Sequence, residues 1–258
     1  MNTEWLKDFV IVLLIFIRIS SALIASPIFG NKAFPILNKI FLSILIAYIL
    51  FLTIQFDSFE AVPTSWMIFV YSIKEAITGL TIGFMLQIVF WGVSFAGTLI
   101  GFDMGLNLAE AFNPMEETNN NIVGEFLYYG AILVFFLIDG HHYIISGLKY
   151  SFSVIPIGKF IFSRALVDLI VQYTGSVFVI AVKIASPIMV SFFLIHIAEG
   201  ILTKLIPQIQ IFFVTQPLKI ALGLFLLAFI TPIYVYVIKN LLQDYEGRLM
   251  SLIQAMGS

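Results

Sequence analysis

Three polar groupings interrupt an otherwise apolar sequence, and each carries side chains capable of chemistry. Asp139-Gly140-His141-His142 places a carboxylate beside two imidazoles. Adjacent residues of a helix project about 100° apart, so His141 and His142 are not expected to chelate one ion together. His196 and Glu199 form the second grouping, at i and i+3. That spacing permits a local hydrogen bond or two metal ligands on one helix face. No His-Glu-x-x-His pattern accompanies them, so buried structural polar pairing is the leading reading. Proton or ion coupling and zinc catalysis stand as rivals.

The third grouping is a loop. Phe112-Asn113-Pro114-Met115 precedes Glu116-Glu117-Thr118-Asn119-Asn120-Asn121. Pro114 drives Asn113 away from helical backbone, and the run after it has no apolar period. Two readings stay open: a solvated surface loop, or a segment lining an aqueous passage, which Phe112 and Met115 are bulky enough to narrow. Just before it comes a glycine ladder, Gly97, Gly101 and Gly105, continued by Ala109, with Gly79 and Gly83 upstream. Residues four apart share a helix face, so this strip without side-chain bulk predicts close helix packing.

The elements that must hold these groups are membrane-like. Of 258 residues 60% are hydrophobic and 11% charged, with a mean hydropathy of +1.05. Ordinary soluble domains are about 25% charged, so the chain has too few polar side chains to cover a soluble surface. Lipid or apolar partner subunits must provide much of its solvent. A net charge of −2 offers no footprint for nucleic acid, and the absence of cysteine removes thiolate chemistry and disulfides. No phosphate-binding loop, dinucleotide fingerprint or nucleophile elbow is present.

Apolar stretches cover residues 9–29, 40–56, 66–100, 126–138, 143–162, 169–197 and 211–238. About 20 helical residues cross the hydrocarbon core, so most of these suffice. The first reads as a retained helix, since its start is neutral and lacks a small-x-small cleavage site. The stretch 66–100 is one overlong helix or a packed pair, and it contains Lys74 and Glu75. The short run before Asp139 is expected to continue as a bent helix, and Lys183 with Pro187 predicts a kink or break in the 169–197 stretch. The positive-inside rule gives no clean orientation: between Lys74 and Lys149 there is no Lys or Arg, against seven acids.

Taken in order, several motifs resemble the FliR/SctT family of type III secretion export-apparatus proteins. They are Arg18; Ser26-Pro27-Ile28-Phe29-Gly30; the run from Gly97 to Leu106 followed by Ala109 and Phe112-Asn113-Pro114; and Asp139-Gly140-His141-His142. Ser151-Phe152 with Pro156-Ile157-Gly158, Pro207-Gln208-Ile209-Gln210-Ile211-Phe212, and the run from Pro217 to Leu224 follow. The chain departs from that family's usual aspartate before the loop proline, having Asn113, and from its usual asparagine at Gln210.

The resemblance implies an all-α, polytopic, highly apolar membrane-associated protein. It would have a FliP-like portion over about 1–168 and a FliQ-like helical hairpin over about 169–258. It implies a non-enzymatic, structural and gating subunit of the flagellar export channel, in the bacterial inner membrane and flagellar basal body. FliP and FliQ would be its core partners, FlhB a further contact, and unfolded flagellar proteins its cargo, with no cofactor. By position, Phe112, Asn113, Pro114 and Met115 would belong to the loop that plugs the closed pore. A polytopic small-solute or ion-coupled transporter is the alternative, and an intramembrane hydrolase or transferase the third class.

Overall fold

A computed structural model of the chain describes residues 4–31, 34–54, 63–106, 121–207 and 211–257. Among the described residues there are seven α-helices and no strand. They are α1 (Glu4–Ala25), α2 (Ile36–Thr53), α3 (Ser65–Asp103), α4 (Ile122–Leu137), α5 (Gly140–Val154), α6 (Arg164–Leu205) and α7 (Ile211–Gly257). Five of them, α1, α2, α3, α6 and α7, are long and apolar enough to cross a membrane. The broken pair α4 and α5, taken together, adds a sixth candidate.

The stretch 66–100 is one helix. At 1.5 Å per residue the 39 residues of α3 run about 58 Å, and the 42 and 47 residues of α6 and α7 about 63 and 70 Å. Each is roughly twice the ~30 Å hydrocarbon thickness.

Of the kink or break expected at Pro187, the break does not occur; α6 continues through it. Proline removes the N–H that would bond the carbonyl four residues back, here Lys183. The Ser186 hydroxyl donates to that carbonyl at 3.2 Å, so the freed acceptor is satisfied without interrupting the helix. The bent helix expected near Asp139 is instead two helices, with Ile138 and Asp139 between them. Asp139 adopts left-handed backbone, φ 57°, which a right-handed helix cannot continue through.

Chain contacts divide the protein into two compact units. The first comprises residues 1–88, 139–174 and 243–258, the second 89–138 and 175–242. In the first unit, Ile11, Ile15, Ile19 and Leu23 of α1 form a stripe of period about four, packed with Ala47 and Leu50 of α2 and Phe152 of α5. The tail of α7 docks here too: Leu249, Leu252, Ile253 and Met256 are fully buried. Gly147 of α5 makes room for Leu249, whose Cδ2 would lie 2.6 Å from an added Cβ. Ser163 caps α6 by accepting from Leu166 N–H, and its hydroxyl donates to the Ala255 carbonyl at 2.9 Å. In the second unit, Phe90 sits edge-on to Tyr128 and Phe135, and Phe95 edge-on to Phe178. Most of α2 faces outward, with Ile36, Leu37, Phe41 and Leu52 exposed, as a surface bathed by lipid or another subunit requires.

Candidate functional site

In the second unit the structure frames the loop that sequence singles out. The helix α3 ends in paired hydrogen bonds: Leu106 N–H donates to the Gly101 carbonyl at 3.0 Å and Gly105 N–H to that of Phe102 at 2.9 Å. This is a Schellman termination, with Gly105 in the left-handed position at φ 75°. A Cβ at Gly105 would meet the Gln216 side chain of α7 at 2.1 Å. Gln216 in turn donates from Nε2 to the Met104 carbonyl at 3.0 Å, and Gly223 leaves space for the Met104 side chain. The loop therefore departs from a turn clamped by α7.

Its return is clamped as well. Asn121 caps α4, its side-chain oxygen accepting from Gly124 N–H at 2.9 Å, while its Nδ2 donates to the Ser94 carbonyl and to Thr98 Oγ1 of α3. Thr98 and Gly105 are seven residues apart, about 10 Å along a helix. The described residues on either side of 107–120 thus both lie at the same end of α3. Phe112, Asn113, Pro114, Met115 and Ala109 lie outside the described residues.

The glycine ladder divides its work. An added Cβ on Gly97 would lie 2.3 Å from the Gly124 Cα, which is backbone against backbone between α3 and α4. Gly101 is buried. Gly105 follows the last residue of α3, so it terminates the helix rather than extending the strip. Gly79 and Gly83, in the first unit, lie against α1, where a Cβ would meet the Arg18 and Ala22 carbonyls at 2.1 and 2.3 Å.

His196 and Glu199 do not pair with each other as a metal site. Glu199 forms an ion pair with Lys219 of α7 at 2.7 Å, both side chains mostly covered. His196, expected with Glu199 to be buried, is exposed; it borders a cleft of about 290 Å³ shared with Asp103, Met189, Val190 and Phe193. The i, i+3 register leaves His196 beside that open cleft while Glu199 turns to the neighbouring helix. Lys219 was legible only as a charge in an apolar run, the signal that should prompt a search for its partner. Exposed ion pairs contribute ~0–1 kcal/mol and fully buried ones lose 3–5 kcal/mol when one partner is removed; Lys219→Met is expected to cost about 2 kcal/mol. Adding Glu199→Gln should recover most of it, in a thermal-unfolding cycle on the detergent-solubilised chain.

In the first unit, close contact of α1 and α3 brings together charges that sequence leaves separate. Glu75 precedes Gly79 by one turn, and its carboxylate takes a two-pronged interaction from Arg18, through Nε to Oε2 and from Nη2 to Oε1 at 3.1 Å. Arg18 also donates to Ser151 Oγ at 3.2 Å and to the Ile155 carbonyl at 3.0 Å, with its guanidinium 4.1 Å from the Phe152 ring centroid. Gly158 N–H donates to Glu75 at 2.9 Å, and Lys74 Nζ to the Gly158 carbonyl at 3.1 Å. Arg18 and Glu75 are both wholly buried. The arrangement has no reacting group with an open approach; it clasps α1, α3, α5 and the Pro156-Ile157-Gly158 turn.

Comparison with known proteins gives the frame for these features. The family described as bacterial export proteins, family 1, matches residues 9–245. The chain is similar to the flagellar biosynthetic protein FliR of Bacillus subtilis (strain 168), 28% identical over 248 residues and 95% of each chain. It is 30% identical to that of Pectobacterium carotovorum subsp. carotovorum, over 94% of this chain and 92% of the relative. For that of Aquifex aeolicus (strain VF5) the identity is 28%, over 98% and 97%.

Proposed function

This chain belongs to the bacterial export proteins, family 1, and from that premise we propose that it is a structural and gating subunit of the flagellar type III protein export channel. Its relatives carry the name flagellar biosynthetic protein across nearly their whole length. In this reading it is a multi-pass protein of the bacterial inner membrane at the flagellar basal body. It assembles with FliP and FliQ, contacts FlhB, and passes unfolded flagellar proteins without chemistry of its own. The FliP-like portion is about 1–168 and the FliQ-like hairpin about 169–258. The exposed apolar faces of α2, α6 and α7 supply surface for such neighbours and for lipid.

The observation that carries the gating role is the frame around residues 107–120, held at Met104 by Gln216 and at Asn121 by Ser94 and Thr98. A plug must be anchored firmly at both ends, so that its apolar centre closes the passage and returns to it after cargo has passed. Phe112 and Met115 then exclude water from a narrow path, the means by which hydrophobic constrictions stop ions. The acidic and amide side chains after Pro114 suit the wet wall of such a path.

Replacing Phe112 and Met115 together with Gly is expected to leave the assembled complex at normal abundance while making the resting membrane leaky to ions. Conductance measured on membranes containing the complex, with abundance checked by blot, tests this. Unchanged resting conductance at equal abundance removes the plug assignment.

A further inference from the structure

The gate has no use for the polar turn that opens α5. Asp139 occupies left-handed backbone at φ 57° and ψ 31°, a strained choice for a residue other than glycine. Aspartate at a helix start ordinarily offsets such strain by accepting a hydrogen bond from the first turn, and here the side chain makes no capping bond. None of the ion pairs among the described residues involves it. One of its carboxylate oxygens lies within 4.8 Å of a ring nitrogen of each of the two histidines that follow.

Those histidines defy the spacing argument made from sequence. Their ring centroids lie 4.2 Å apart, and one ligand atom from each of Asp139, His141 and His142 lies within 4.8 Å of the other two. The two rings meet although both histidines belong to α5, and the turn at the left-handed residue brings the Asp139 carboxylate beside them. We propose that Asp139, His141 and His142 form a binding site for a divalent first-row transition-metal ion.

The donor set selects the class. Two imidazole nitrogens with one carboxylate oxygen suit zinc, copper or nickel, whereas magnesium and calcium favour all-oxygen surroundings. A tetrahedral ion with bonds near 2.1 Å holds its ligand atoms about 3.4 Å apart. Closing the present separations to that distance takes roughly 1.4 Å at most, which rotation of the exposed Asp139 and His142 side chains provides. Three protein ligands leave a fourth position for water. The bound ion pins the first turn of α5 and compensates the strained backbone before it.

The test uses the full-length chain, purified in detergent without a polyhistidine tag and stripped with a chelator. Calorimetric titration with Zn(II) should show one saturable site per chain. Electron paramagnetic resonance of the Cu(II) form should show two coordinating nitrogens. Asp139→Gly is the informative variant, since glycine accepts φ 57° without strain and only the carboxylate is lost. It and His142→Gln should each weaken binding at least about tenfold, the lower range for losing even an outer-sphere partner. His141→Gln with His142→Gln should abolish it, while His196→Gln leaves it unchanged. Absence of saturable binding overturns the proposal, as does affinity that survives Asp139→Gly and His142→Gln or that disappears with His196→Gln.

Discussion

Replacing Glu75 with Ala is expected to cost the folded chain about 3–5 kcal/mol, the loss typical when one partner of a buried ion pair is removed. Arg18 would keep its full charge with no solvent to receive it, and Ser151 and the Ile155 carbonyl cannot neutralise it. Gly158 N–H would also lose its acceptor. Arg18→Lys should fail nearly as badly, because a single ammonium cannot reproduce the planar fork that reaches Glu75 twice. The double replacement Arg18→Met with Glu75→Leu removes both charges and should recover most of the loss, since apolar substitutes for buried pairs are commonly neutral or better. Unfolding of the purified chain in detergent, followed by helical circular dichroism, measures all four proteins. A Glu75→Ala protein as stable as the parent would show that the clasp contributes nothing.

The second large effect is steric. Gly97→Leu places a branched side chain where even a Cβ meets the Gly124 Cα at 2.3 Å, against an ordinary contact of 3.4–4 Å. Backbone cannot rotate aside, so α3 and α4 must separate by more than an ångström. That movement strains the Asn121 bonds to Ser94 and Thr98 and the Phe90 contacts with Tyr128 and Phe135. The cost should lie at or above the ~1–3 kcal/mol of ordinary overpacking, and loop anchoring should fail with it. Gly130, also in α4, is the control: a Cβ there meets nothing within 4 Å. Gly130→Ala should be neutral or stabilising by up to about 1 kcal/mol from helix propensity. Melting temperatures of the two variants, compared in one detergent, decide the matter; equal values would remove the packing face from α3.

Local signals in the sequence extend as far as periodicity and sterics reach. Apolar runs disclose the helices, and Gly97 discloses a close contact, because both follow from spacing along one chain segment. Helix continuity through Pro187 was hidden, since it depends on Ser186 rotating onto the Lys183 carbonyl. Charge partners were hidden for a different reason. Arg18 and Glu75 are 57 residues apart, and Lys219 meets Glu199 across two helices, so only tertiary geometry couples them. The closeness of the two imidazole rings was hidden as well, since helix angles fix where side chains leave the backbone and not where their rings end, and the approach of Asp139 depends on a backbone turn that spacing does not show. Gly105 fits the four-residue period of the ladder, yet its positive φ gives it another task.

The first compact unit is assembled from three separated pieces, and the last of them is residues 243–258. Tyr245, Leu249, Leu252, Ile253 and Met256 are buried in it, so its interior is incomplete until the ribosome has made them. After Thr174, 68 residues of the other unit must be synthesised before Gln243 appears. At 5–20 residues per second that is roughly 3 to 14 s during which α5 and the start of α6 present uncovered apolar surface to the insertion machinery. A nascent chain in that interval is a natural client for membrane chaperones. A chain stopped before Tyr245 would retain every candidate gate residue and still lack the side chains from Tyr245 to Met256 that close this core, marking it for proteolysis rather than assembly.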